Sequence, residues 1–66
     1  MKISLVTPVY NEEENINYFL ENTIPILSKH FLDYEIIFVL DPSDDNSEKI
    51  ILEHCKNNKR IKLITL

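Results

Sequence analysis

Apolar and polar residues follow one another in blocks along this chain, and the blocks predict three strands separated by two helices. The runs KISLVTPV, DYEIIFVL and RIKLITL are short and rich in β-branched residues, which is typical of strands. The first two lack strict alternation, so we expect them to be buried on both faces. The order strand, helix, strand, helix, strand predicts an α/β fold, a βαβαβ unit with parallel strands and right-handed crossovers.

The first helix is expected directly after the first strand. Asn11 can cap a helix that begins at Glu12, and the three glutamates 12–14 would then lie in its first turn, where negative charge complements the helix dipole. Apolar residues continue at helical spacing, but Pro25 removes a backbone donor. We therefore expect a kink or a break near Thr23 and the end of the helix near His30.

The second helix is expected to follow the polar stretch DPSDDNSE. Asp45 and Glu48 have the spacing of a capping box. An apolar stripe then continues to about Asn57, formed by Ile50, Ile51, His54 and Cys55.

Composition excludes several classes of function. A chain of 66 residues with a net charge of −4 and no dense run of Lys or Arg lacks the basic face that nucleic acid requires. The single cysteine, Cys55, excludes an intrachain disulfide and a zinc site made of several cysteines. No stretch approaches the ~20 apolar residues of a membrane span, and the N-terminus turns acidic too soon for a signal peptide. We expect a cytoplasmic protein.

The candidate chemistry lies where the first two strands end, in TPVYNEE and LDPSDDNS. Ligands of parallel α/β sheets bind at this carboxyl edge. The chain contains no glycine, which excludes the G-x-G-x-x-G and G-x-x-x-x-G-K-[ST] phosphate loops. A nucleotide at this edge would therefore be held by side chains at its base and ribose, with its diphosphate left to another group such as a metal ion.

Three side chains suit such a nucleotide. Tyr10 offers a ring for base stacking, which is worth ~1–3 kcal/mol. Asp41 offers a carboxylate acceptor for the imide N–H of a uracil or the corresponding edge of a guanine. Glu12 can accept hydrogen bonds from the ribose hydroxyls.

Simpler interpretations exist for the same residues. Glu13 and Glu14 fit a solvated first helical turn, and Tyr10 could pack at a strand end. The polar residues before the second helix could serve only to cap it, and they are Asp44, Asp45 and Ser47. Asp45 could both cap the helix and bind the nucleotide. His30 and His54 have no partner at metal-ligand spacing and are expected to be structural.

Two motifs at these strand ends resemble a known family, the family 2 glycosyltransferases with the GT-A fold. The family's P-x-Y-N-E motif falls on Pro8, Tyr10, Asn11 and Glu12. Its D-D-G-S-x-D-x-[ST] motif falls on residues 40–47, where Leu40 and Pro42 replace an aspartate and the glycine, and where the matching residues are Asp41, Ser43, Asp45 and Ser47. The chain looks most similar to enzymes that transfer a sugar to a polyprenyl phosphate, such as dolichyl-phosphate mannose synthases and bactoprenyl glucosyltransferases.

The resemblance implies that residues 1–66 are the N-terminal, nucleotide-sugar-binding part of such a Rossmann-like domain and end before its D-x-D motif. It implies a complete enzyme of cell-envelope polysaccharide or glycolipid synthesis that uses a UDP- or GDP-sugar with inversion, and Mg²⁺ or Mn²⁺ held outside this chain. No catalytic residue is expected here. The donor-binding residues that it implies are Pro8, Tyr10, Asn11, Glu12, Asp41, Ser43 and Asp45.

Two further expectations concern partners. Contact with a membrane is expected only through other regions or a lipid-linked acceptor, at the cytoplasmic face, and the open edges of the sheet favour self-association. The alternative function is a stand-alone, non-catalytic βαβαβ module that binds or interacts through its acidic loops.

Overall fold

A computed structural model describes residues 2–42 and 45–66 of the chain and confirms the predicted order of elements. All the strands it describes are parallel, in the order β1-β2-β3. The elements are β1 (Lys2–Val9), α1 (Ile16–His30), β2 (Asp33–Leu40), α2 (Ser47–Asn57) and β3 (Ile61–Thr65).

The register of the first two strands brings their ends level. Lys2 lies opposite Asp33 at one end of the pair, and Val9 lies opposite Leu40 at the other. The ladder continues one step further, because the Asp41 N–H donates to the Val9 carbonyl at 3.0 Å. The chain therefore leaves β1 and β2 side by side at the carboxyl edge of the sheet.

Both helices pack on one face of this sheet. Every second residue of β2 is buried there, and Ile36 and Phe38 have almost no exposed surface. The ring of Phe19 on α1 meets Phe38 edge to face, with ring centroids 6.0 Å apart. The buried apolar residues form one cluster, which joins the two helices to the sheet: Val9, Ile16, Leu20, Leu27, Tyr34, Ile36, Phe38, Leu40, Ile51 and Ile61.

The opposite face of the sheet is open, so the prediction that β1 is buried on both faces is wrong for these residues. Ser4, Val6 and Pro8 point away from the helices, and Val6 is 58% exposed. Right-handed crossovers that run in one direction, from β1 to β2 to β3, place both helices on the same side. The central strand β2 is better covered, since its second face is half-buried.

The start of α1 also differs from the prediction. The helix begins at Ile16 rather than at Glu12, and its first turn contains no acidic residue. Asn11 adopts a left-handed backbone conformation, with φ of 48°, whereas a capping residue usually has β-region angles. The Glu12 carbonyl instead accepts from the N–H groups of Asn15 (2.9 Å) and Ile16 (3.2 Å), which forms a turn ahead of the helix.

The predicted break near Thr23 is wrong, because α1 continues through Pro25 and ends at His30 as expected. Leu20 and Leu27, on either side of the proline, are both buried against the sheet, and this packing offsets the lost backbone hydrogen bond. The predicted end of α2 at Asn57 is confirmed. Asp45 lies just outside this helix, whose N-cap is Asn46.

Candidate functional site

The carboxyl edge of the sheet carries two loops, loop 1 (residues 10–15) after β1 and loop 2 (residues 41–46) after β2. Tyr10 and Asp41 are the first residues of these loops, and they follow Val9 and Leu40, which lie opposite each other on neighbouring strands ~4.8 Å apart. Both residues are exposed, Tyr10 by 59%. An exposed aromatic residue and an exposed carboxylate therefore follow the two strands at the edge where ligands of such sheets bind.

Loop 1 turns sharply at Asn11. Its left-handed conformation is costly for most residues, but asparagine tolerates it because its short polar side chain bonds locally. The next residue, Glu12, is exposed, and its Oε2 accepts from the Asn15 side-chain amide at 2.9 Å.

The beginning of α2 holds loop 1 in place. The Glu12 N–H donates to Ser47 Oγ at 3.0 Å, and the Glu13 N–H donates to Asp45 Oδ2 at 3.1 Å. Ser47 is completely buried. Ser47 was predicted to cap this helix, and its match to the last position of the second motif was the sequence signal for its contact with loop 1.

Asp45 accepts a hydrogen bond from loop 1 at one carboxylate oxygen and from the start of α2 at the other. Besides the Glu13 bond, its Oδ1 accepts from the Ser47 N–H at 3.0 Å. Partial burial by itself raises the pKa of Asp45, but the hydrogen bonds from Ser47 and from the Glu13 N–H outweigh it, so the pKa lies below its usual value. The carboxylate is therefore ionised at neutral pH.

The structure places Tyr10, Asn11 and Glu12 in the loop after β1, and Asp41 and Asp45 after β2 at the same edge of the sheet. Pro8 lies near the end of β1, where it lines a small cavity of about 160 Å³ together with Glu12 and Phe19. Ser43 and Asp44 lie outside the described residues.

The charge of this edge limits what it can bind. Residues 9–15 and 41–48 include several carboxylates and no Lys or Arg. Carboxylates accept hydrogen bonds, so they suit the N–H and O–H groups of a base and a ribose, whereas they repel a phosphate. Among residues 2–42 and 45–66, no group of three or more His, Cys, Asp or Glu side chains is arranged to hold a metal ion.

A larger groove of about 550 Å³ lies between the two helices. Tyr10 and Asp41 do not line it, so it is not part of the same site. His54 Nε2 lies 2.5 Å from Asn17 Oδ1 and connects α2 to α1 beside this groove. The groove is lined by Glu13, Asn17, Asn46, Lys49, Ile50, Glu53 and His54.

Neither helix of the described residues has the length and apolar character required to cross a membrane. The longer one, α1, has 15 residues.

Comparison with known proteins identifies the family. The chain is 33% identical over its whole length to an uncharacterized glycosyltransferase of Synechocystis. It is 48% identical over 52 residues, 79% of the chain, to the undecaprenyl-phosphate 4-deoxy-4-formamido-L-arabinose transferase of Proteus mirabilis, and 31% identical over 72 residues, 98% of the chain, to a mouse dolichyl-phosphate beta-glucosyltransferase.

The chain spans only 21%, 16% and 22% of the lengths of these three relatives. The model of the family described as glycosyl transferase family 2 matches residues 4–66, almost the whole chain. The parallel βαβαβ sheet is consistent with the nucleotide-binding part of the Rossmann-like GT-A fold. With a family match of this extent, the chain belongs to glycosyl transferase family 2.

Proposed function

We propose that the natural polypeptide containing these residues transfers a sugar, with inversion, from a UDP- or GDP-sugar to an acceptor, and that this chain binds the nucleotide of the donor. The observation that supports the proposal is the level ending of β1 and β2: Val9 lies opposite Leu40, so the residues that follow them, Tyr10 and Asp41, leave the sheet at the same carboxyl edge. No residue of the chain is proposed to be catalytic.

Each loop residue has a defined role in this proposal. The base stacks on the Tyr10 ring, and its imide N–H, or the corresponding edge of guanine, donates to the Asp41 carboxylate. Glu12 accepts from the ribose hydroxyls, since a carboxylate with about four acceptor positions can serve these and Asn15 together. Pro8 and Asn11 shape the strand end and the turn that present these groups, and Ser43 remains a proposed contact on the basis of its motif position.

The donor diphosphate is expected to lie outside this chain's own contacts. The acidic edge repels phosphate, and its described residues form no metal site. We propose that Mg²⁺ or Mn²⁺ is held by carboxylates in another part of the natural protein, where it offsets the charge of the departing nucleotide.

A polyprenyl phosphate is the proposed acceptor. This proposal is supported by the names of the Proteus and mouse relatives, which act on undecaprenyl phosphate and dolichyl phosphate. Because such an acceptor is anchored in lipid, the complete enzyme would work at the cytoplasmic face of a membrane, in the synthesis of a cell-envelope glycolipid or polysaccharide.

Substitution of Asp41 tests the donor site. In the natural polypeptide, Asp41→Asn keeps the size of the side chain but removes the anionic acceptor. A charged hydrogen bond contributes ~1.5–3 kcal/mol, so the affinity for UDP or GDP should fall by about ten- to a hundredfold. The matched control is Asp33→Asn at the other end of the same strand, where Asp33 pairs with Arg60 at 3.2 Å, and this variant should bind the nucleotide like wild type.

Calorimetric titration and thermal melting of both variants separate binding from folding. Equal nucleotide affinity in wild type and Asp41→Asn would remove Asp41 from the site. A wild-type protein that binds neither UDP nor GDP would contradict the proposed function and favour the stand-alone module.

We also propose that a protein made of these 66 residues alone self-associates through its sheet edges. In the described sheet β1 and β3 each pair on one side only, and exposed strand edges are templates for pairing with another chain. Sedimentation velocity at rising concentration should show species larger than a monomer. A single monomer boundary over the whole range would refute this proposal.

A further inference from the structure

Loop 1 is fixed by contacts that come from a distant part of the chain. The amides of Glu12 and Glu13 are consecutive donors, and their acceptors, Ser47 Oγ and Asp45 Oδ2, belong to residues at the start of α2. Each bond spans more than thirty positions of sequence. Two neighbouring amides of loop 1 are therefore held by Asp45 and Ser47, which lie two positions apart where loop 2 meets α2.

Capping of α2 does not by itself explain this arrangement. The Ser47 N–H at the first turn of the helix is satisfied by one oxygen of Asp45, and the second oxygen is directed to loop 1. Ser47 has no exposed surface, and its hydroxyl oxygen accepts from the Glu12 N–H. A residue needed only for the helix end would not require burial against loop 1.

Glu12 is consequently held on both sides. Its N–H is bound to Ser47, and its carbonyl accepts from the amides of Asn15 and Ile16 at the start of α1. The preceding residue, Asn11, has its left-handed φ of 48°. These constraints fix the backbone from which the Tyr10 ring and the Glu12 carboxylate project.

We propose that Asp45 and Ser47 are positioning residues that hold loop 1 in its nucleotide-binding conformation before the donor arrives, through the amides of Glu12 and Glu13. This inference rests on the proposed function for the identity of the ligand. A loop that is already ordered pays less conformational entropy on binding, so the hydrogen bonds act on donor affinity without touching the donor.

The test uses Ser47→Ala in the natural polypeptide. Loss of the buried acceptor leaves the Glu12 N–H without its partner, a change of ~1–2 kcal/mol that should weaken UDP or GDP binding by about five- to thirtyfold if loop order is lost. Ser47→Thr keeps the hydroxyl, and the family motif accepts Ser or Thr here, so this variant should restore most of the affinity. Ser28→Ala, at an exposed position of α1, is the control that should change nothing.

Hydrogen exchange of the free protein supplies a readout that needs no nucleotide. The Glu12 and Glu13 amides should exchange faster in Ser47→Ala and in Asp45→Asn, while the amides of β2 keep their protection. If Ser47→Ala fails to fold, Asp45→Asn and Ser47→Thr carry the test, because they retain part of the hydrogen bonding.

Two results would overturn the inference. Unchanged exchange of the Glu12 and Glu13 amides in both Ser47→Ala and Asp45→Asn would show that Asp45 and Ser47 do not hold the loop. Faster exchange with unchanged nucleotide affinity would show that the contact is structural only. If wild type binds neither nucleotide, the proposed function fails and the donor role of the loop fails with it, whereas the exchange result still decides whether the loop is held.

Discussion

The two ends of the sheet use their charged residues in different ways. At the amino end Glu35 lies within ion-pair distance of Lys2 (3.7 Å) and Lys62 (2.6 Å), and Asp33 pairs with Arg60. At the carboxyl edge Asp45 and Glu12 accept from neutral amides. Charges at the amino end are thus paired with opposite charges, whereas Asp45 and Glu12 at the carboxyl edge accept hydrogen bonds from uncharged groups.

The difference shows which acidic residues of this chain indicate function. Glu35 is only 14% exposed, because Lys2, Lys62 and Ser4 surround it, and Arg60 stacks its guanidinium 4.4 Å from the centre of the Tyr34 ring. Such groups stabilise the sheet and have little left to offer a ligand. Asp45 and Glu12 belong instead to the loops after β1 and β2, and loops carry binding residues more often than the elements they connect.

The largest effect on the free energy of unfolding is expected from substituting Asn11, where loop 1 turns. A left-handed conformation costs ~1–2 kcal/mol for a residue with a Cβ and no local hydrogen bond, so Asn11→Ala should lower the free energy of unfolding by about this amount. Asn11→Gly should lose less, since glycine adopts positive φ without strain. Urea denaturation of both variants measures the order.

Asn22 provides the matched control for this pair, because it lies at an exposed position inside α1. At this position the order of stabilities should reverse, and Asn22→Gly should be less stable than Asn22→Ala by ~1 kcal/mol. If glycine is as damaging as alanine at position 11, the left-handed turn is not what this position requires.

A smaller effect on the free energy of unfolding, seen only in acid, is expected from neutralising Glu35 at the amino end of the sheet. The Lys62 and Ser4 hydrogen bonds and the charge of Lys2 lower the pKa of Glu35 to about 2, against the opposing effect of its partial burial. The folded pKa lies below the ordinary value of 4.5, so the stabilisation is fully present above pH 4.5 and is lost as the pH falls toward 2. In Glu35→Gln the free energy of unfolding should therefore depend less on pH between 4.5 and 2.

Urea midpoints of wild type and Glu35→Gln between pH 7 and pH 2.5 check this expectation. Nucleotide affinity at pH 7 should be the same in both proteins, since Glu35 lies at the end away from the loops. A variant that keeps the full acid response of wild type, or one that binds the nucleotide more weakly, would show that the two ends are not separate in function.

Sequence patterns predicted the strands well, because the residues within each run and directly after it mark where the strand begins and ends. The runs KISLVTPV and DYEIIFVL end abruptly at polar residues, and the structure places β1 and β2 on these runs from their first residue to their last. Three parallel strands with two crossovers then follow from the order of elements alone. The carboxyl edge, with Tyr10 and Asp41 on it, was predictable for the same reason.

The errors arose where a distant contact decides the local conformation. Asparagine is a common helix-capping residue, so Asn11 predicted a helix start. The Glu12 and Glu13 amides instead donate to Ser47 and Asp45, and α1 begins only at Ile16. Nothing within a few residues of Asn11 reveals those partners. Ser47 itself was underrated because a local cap and a long-range acceptor look identical in sequence.

Pro25 and Val6 illustrate the same limit for packing. A proline inside a helical pattern predicts a break, yet the buried leucines on both sides of Pro25 keep α1 continuous. An apolar run predicts burial on both faces, yet the side of the sheet on which the helices lie depends on strand order, and Val6 is left exposed. Both outcomes depend on tertiary packing rather than on residue type.

Hydrogen exchange with and without nucleotide tests the central claim most directly, namely that loops 1 and 2 form the donor-nucleotide site. In the natural polypeptide, saturating UDP or GDP should slow exchange in peptides that cover loop 1 and loop 2, and should leave the C-terminal half of α1 and the amino end of the sheet unchanged. Bound nucleotide that protects neither loop, or that protects only the groove between α1 and α2, would contradict the claim.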